Sequence, residues 1–65
     1  MELGELIKQE REKASLTQFQ LAVKLHVQPV TVSNWERGEN QPSVPTLMAL
    51  DMVLNTEVFM ASLNT

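Results

Sequence analysis

Apolar residues return along this chain at helical spacing, in five runs separated by short polar breaks. Leu3, Ile7 and Arg11 fall on one face at i, i+4 and i+8, with Leu6 beside them, which predicts a first helix from about Glu2 to Lys13. Acidic Glu2 and Glu5 near its start and Lys13 near its end suit the helix dipole. The stretch Thr17 to Gly38, TQFQLAVKLHVQPVTVSNWERG, then reads as two short helices joined by a tight corner. Thr17 is a good N-cap, Gln20 completes a capping box with it, and Leu16 and Leu21 can staple the entry. Leu21, Ala22 and Leu25 make one apolar stripe. The stripe breaks at His26-Val27-Gln28 and restarts at Pro29, a residue suited to a first helical position because it lacks an N–H. Val27 and Val32 are spaced as a second staple, Val32 and Trp35 continue the buried stripe, and Gly38 supplies the left-handed residue that ends the helix. Ser43 is expected to cap a fourth helix, with Pro45 in its first turn and Leu47, Leu50, Val53 and Leu54 inward. Asn55-Thr56 marks a break before a fifth helix over 56–63.

With these residues in view, the chain resembles the phage-repressor and Cro-like (xenobiotic-response) family of helix-turn-helix DNA-binding domains. The most specific fragments are LTQxxLA at the start of the second helix and the ERG-x(3)-PS-x(2)-TL run after the third, and the match covers nearly the whole chain. The resemblance implies an all-α, five-helix lambda-repressor-like domain over 1–65, with the helix-turn-helix at 17–38. It also implies a structural ion pair between Arg11 and Glu36 that clamps the first helix to the end of the third. Glu10 and Asp51 depart from the family pattern, which has leucine and a small apolar residue there. His26 stands at the corner where the family commonly has glycine, and histidine tolerates positive φ.

Composition narrows the picture. Sixty-five residues allow one small domain that buries about 60% of its unfolded surface. There is no cysteine, so neither a disulfide nor a thiolate metal site is expected. His26 is the sole histidine and has no acids at ligand spacing; no metal, cofactor or catalytic set is indicated, and an enzyme is the weakest reading. No apolar run is long enough to span a membrane and no signal peptide is visible, so a cytoplasmic location is expected. The net charge of −3 opposes nucleic-acid binding as a whole-chain number. Its distribution is uneven: residues 17–38 carry Lys24 and Arg37 against Glu36, whereas residues 39–65 hold no lysine or arginine.

The resemblance makes the third helix the recognition helix, whose N-terminal residues meet base edges in the major groove. Val32 and Trp35 point inward, leaving Gln28, Pro29, Val30, Ser33 and Asn34 outward; Trp35 is expected as a core plug. Gln28 and Asn34 carry amides that can pair with adenine, and Val30 and Pro29 offer apolar contact to a thymine methyl. Thr31 can do either or support the first turn. This set lacks an arginine for guanine, so A·T pairs are expected at the directly read positions; G·C-rich half-sites in a binding-site selection would overturn that hypothesis. Thr17 and Gln18 are expected against a backbone phosphate at the N-terminus of the second helix, although Thr17 can equally be a cap alone. Lys24 and Arg37 are the charged candidates for phosphate contact, or else solvated surface residues. Asn40 and Gln41 can offer neutral donors, while Glu39 would be repelled. Two or three phosphates per subunit give a salt slope of about −2 to −3 for a monomer.

Phe19 either covers the core edge or joins an interface. Met52, Phe59 and Met60 add apolar surface near the C-terminus, which points to a homodimer through the last helices, with a compact monomer as the alternative. The leading functional reading is sequence-specific binding of double-stranded DNA by a transcriptional regulator, a repressor rather than an activator by resemblance. The rival is a protein-interaction module, antitoxin-like or an adaptor, that keeps the fold and binds a protein partner instead.

Overall fold

In the computed structural model, which describes residues 1–64, the chain folds as α1 (Leu3–Lys13), α2 (Gln18–Leu25), α3 (Pro29–Arg37), α4 (Val44–Leu54) and α5 (Val58–Ala61), followed by a 3₁₀ turn, Ser62–Asn64. The starts follow local chemistry. Thr17 and Gln20 close a reciprocal capping box: the Gln20 N–H donates to the Thr17 hydroxyl at 3.0 Å and the Thr17 N–H to the Gln20 carbonyl oxygen at 2.8 Å. Pro29 opens α3 behind an extended Gln28. Ser43 has the extended backbone of an N-cap, but its hydroxyl bonds the Thr46 hydroxyl at 3.0 Å rather than a backbone N–H.

The first four helices end in one way. Ser15, His26, Gly38 and Asn55 all take positive φ, at 60°, 59°, 77° and 54°. After each, the next N–H reaches back into the last turn: Leu16 to the Arg11 carbonyl, Val27 to Ala22, Glu39 to Asn34 and Thr56 to Asp51, at 2.9–3.1 Å. This left-handed stop satisfies carbonyls that a helix end leaves unpaired. One of the four uses glycine. The others are small or polar residues in a region that costs an L-residue roughly 1–2 kcal/mol.

The core is Ile7, Leu21, Ala22, Val32, Trp35, Leu47, Leu50, Leu54 and Phe59, drawn from all five helices. Gly4 lies where α1 crosses the last turn of α3. A Cβ there would stand 2.4 Å from the Trp35 carbonyl oxygen and 2.7 Å from that of Glu36, so no larger residue fits without moving a helix.

The C-terminus differs from expectation in two ways. The fifth helix is one turn, Val58–Ala61, shorter than 56–63, because Thr56 and Glu57 form its approach, with the Thr56 hydroxyl accepting from the Val58 N–H at 3.3 Å. Phe59 is fully buried, so it cannot belong to a dimer surface; it plugs the end of the core. Met52 is 82% exposed and Met60 half-buried. Asp51 explains how so short a helix holds. Its buried carboxylate accepts the N–H groups of Phe59 at 3.0 Å and Met60 at 2.9 Å, groups that a one-turn helix cannot satisfy itself.

Candidate nucleic-acid interface

The outer face of α3 is positioned by a polar knot behind it. Arg11 donates from Nε to Glu36 Oε2 at 2.6 Å, from one terminal nitrogen to Glu36 Oε1 at 3.1 Å, and from the other to the Leu16 carbonyl at 2.8 Å. Gln18 adds its side-chain amide to Glu36 Oε1 at 3.0 Å. One carboxylate on α3 thus gathers α1 and α2. The pair is enclosed, with the Arg11 and Glu36 side chains 10% and 5% exposed, and the remaining hydrogen-bond capacity a buried ion pair needs is supplied by Leu16 and Gln18. The guanidinium pKa is raised above its ordinary value, first by the hydrogen bonds it donates to Glu36, against the lowering effect of burial.

Val32 and Trp35 sit in the core, and this fixes the rotation of α3. Gln28, Pro29 and Val30 are exposed at its N-terminal end, while Thr31, Ser33 and Asn34 are half-buried along its side. Val30 is 61% exposed. An amide, a ring and an isopropyl group therefore stand together at the end of a helix whose opposite face is locked. Such a surface can meet base edges with donors, acceptors and methyl contacts.

The phosphate candidates divide. Thr17 is exposed, with its hydroxyl and N–H in the capping box, so the α2 N-terminus is built with the backbone N–H groups of Gln18 and Phe19 left outside that box. The Gln18 side chain points to Glu36, which leaves its backbone N–H as the group to meet an anion. Lys24 is exposed in the last turn of α2. Asn40 and Gln41 are exposed and border a cleft of about 420 Å³ shared with Glu2 and Glu5 at the start of α1, an acidic setting for a phosphate. Arg37 is taken up by its own chain: Nε and a terminal nitrogen donate to Glu39 Oε2 at 2.8 and 2.5 Å, and further bonds run to Asn34 Oδ1 at 2.6 Å and to the Ser33 hydroxyl. His26 is exposed and serves as the left-handed corner between α2 and α3. Phe19 is 64% exposed and does not cover the core edge.

Two partners escape a reading of the sequence. Gln18 and Glu36 are 18 positions apart and nothing local links them. Glu39 and Arg37 flank Gly38, and the R-G-E spacing was the available signal: a glycine stop folds the chain back and brings its neighbours together.

A family model described as helix-turn-helix matches residues 7–59. Among curated proteins, the chain is 42% identical over 52 residues to the HTH-type transcriptional regulator DicA of Escherichia coli, covering 80% of this chain and 38% of that protein. It is 38% identical over 55 residues to the HTH-type transcriptional regulator ImmR of Bacillus subtilis, covering 85% and 43%. It is 33% identical over 58 residues to the HTH-type transcriptional activator BcrR of Enterococcus faecalis, covering 89% and 28%. The chain thus spans less than half the length of these relatives. No solved structure gives a significant match. Among the described residues, no helix is long and apolar enough to cross a membrane. The ordered helices, the buried Arg11–Glu36 knot and the matched span lead to one assignment: the chain belongs to the helix-turn-helix family, in its xenobiotic-response type.

Proposed function

We propose that this chain binds double-stranded DNA in a sequence-specific way as a transcriptional regulator, acting in the cytoplasm and reading an operator through α3. The observation that carries the reading is the exposed cluster of Gln28, Pro29 and Val30 at the N-terminal end of a helix whose rotation is fixed by Val32, Trp35 and Glu36. Thr31, Ser33 and Asn34 extend that face along the groove. Thr17 and Gln18 at the α2 N-terminus, with Lys24, Arg37, Asn40 and Gln41, would hold the flanking phosphates. The relatives include two transcriptional regulators and a transcriptional activator, and the reading is of regulation in either direction.

The proposal includes a homodimer. Val44, Met48 and Met52 follow one another at i, i+4 and i+8 along the outside of α4 and are 50%, 51% and 82% exposed. The one charged residue of α4, Asp51, is buried and bonded to the Phe59 and Met60 N–H groups, so a second copy related by a two-fold axis would meet its own apolar stripe without like-charge repulsion. Two subunits would present their reading helices to half-sites about 34 Å apart.

The test is selection of bound duplexes from a random pool at low and at moderate salt. An inverted repeat rich in A·T pairs that survives moderate salt is the expected result, and joint substitution of Gln28, Val30 and Asn34 by alanine should abolish its enrichment while the fold persists. The acidic balance of the chain favours the second reading, a module that binds a protein partner; no enrichment at either salt would give that reading the place of the first.

A further inference from the structure

The Arg37 guanidinium has five N–H donors, and four of them are spent within the chain, on Glu39, Asn34 and Ser33. The edge formed by Nε and a terminal nitrogen, one of the two that can grip a phosphate with two parallel bonds, is occupied by Glu39 Oε2. Glu39 is not on a loose tail. Gly38 at φ 77° and the bond from the Glu39 N–H to the Asn34 carbonyl at 2.9 Å fix its backbone against the last turn of α3. The same guanidinium holds Asn34 Oδ1, the acceptor that Asn34 needs for adenine.

We propose that Glu39 is an intramolecular competitor for a DNA phosphate: its carboxylate occupies Arg37 in the free protein and sets the affinity and salt sensitivity of duplex binding. The inference rests on the duplex-binding reading above. Both side chains are more than half exposed, and an exposed pair is easily opened in water, so the clamp tunes binding rather than forbidding it. On docking, a phosphate takes the place of Glu39 on the guanidinium. The bonds to Asn34 and Ser33 use other donors of the guanidinium, so they can hold it in place while the phosphate binds.

The experiment measures affinity for the duplex recovered in the selection, between about 50 and 200 mM salt, for the native chain, Glu39→Gln, Arg37→Ala and the double variant. Glu39→Gln should bind several-fold more tightly at the lower salt, and its plot of log affinity against log salt should steepen by up to about 0.9 per subunit, because the variant has no displaced carboxylate that takes up a cation on docking. In the Arg37→Ala background the same substitution should change neither quantity. Unaltered affinity and slope for Glu39→Gln would overturn the proposal. So would a gain that persists undiminished without Arg37, because that is repulsion by a nearby acid and needs no clamp. Failure of every variant to retain any duplex would remove the DNA-binding reading itself, and this inference with it, a result distinct from equal retention by all four.

Discussion

Arg11 makes three of its bonds to groups on other parts of the chain, and its loss would be felt at each. Arg11→Ala leaves the Glu36 carboxylate enclosed with the Gln18 amide alone, and breaking a buried pair from one side costs about 3–5 kcal/mol. In a domain this short that is most of the available stability, so the variant should be largely unfolded at room temperature by circular dichroism. Arg11→Lys keeps the charge and loses the fork, and should fall between the two. The pH behaviour follows from the sign of the shift. A cation whose pKa is raised in the folded state contributes fully below its unfolded value and loses that contribution only as pH climbs through the folded one. Arg11 should therefore add no pH dependence to the unfolding midpoint anywhere below the usual arginine range.

At the level of elements, α5 depends on one side chain outside it. Asp51→Ala would strip the Phe59 and Met60 N–H groups of their acceptor, at about 1–3 kcal/mol, and would release that turn before the rest of the domain. Amide exchange should show it: Phe59 and Met60 lose protection while Leu21 and Val32 keep theirs, and Asp51→Asn, which retains one acceptor oxygen, loses less. The same helix marks where reading the sequence stopped working. The starts of α2 and α3 were legible because Thr17, Gln20 and Pro29 act on their own neighbours, and the Gly38 stop was legible for the same reason. Ser15 and Asn55 make the same kind of stop without glycine, each closed by the next N–H bonding back to the Arg11 or Asp51 carbonyl. A helix over 56–63 leaves Phe59 free to face either way; in the one-turn helix its N–H is held by the Asp51 carboxylate, eight positions away, and its ring lies in the core. The outer face of α3 was readable by elimination, since two core residues fix the phase of a helix. What its side chains hold was not, because Gln18 meets Glu36 only after three helices have packed and Arg37 meets Glu39 only across a left-handed turn.

For the whole molecule, the cations lie in residues 1–38, and the exposed stripe Val44, Met48 and Met52 runs along α4, which carries no lysine or arginine. Met52→Glu should leave folding unchanged, since its side chain is out in solvent, yet give a monomer in sedimentation and weaken binding to an inverted repeat; a native chain already monomeric on its operator would refute the dimer. The contact at Gly4 has a bearing on mechanics. Backbone meets backbone there, with no side chain between α1 and the last turn of α3 to act as a cushion. The C-terminal end of α3 is therefore clamped like a beam in a wall. The other end is held through side chains and a turn, with Val27 packed on the core and its N–H bonded to the Ala22 carbonyl, so a groove of the wrong width would be met by adjustment at that softer corner rather than by sliding of the helix.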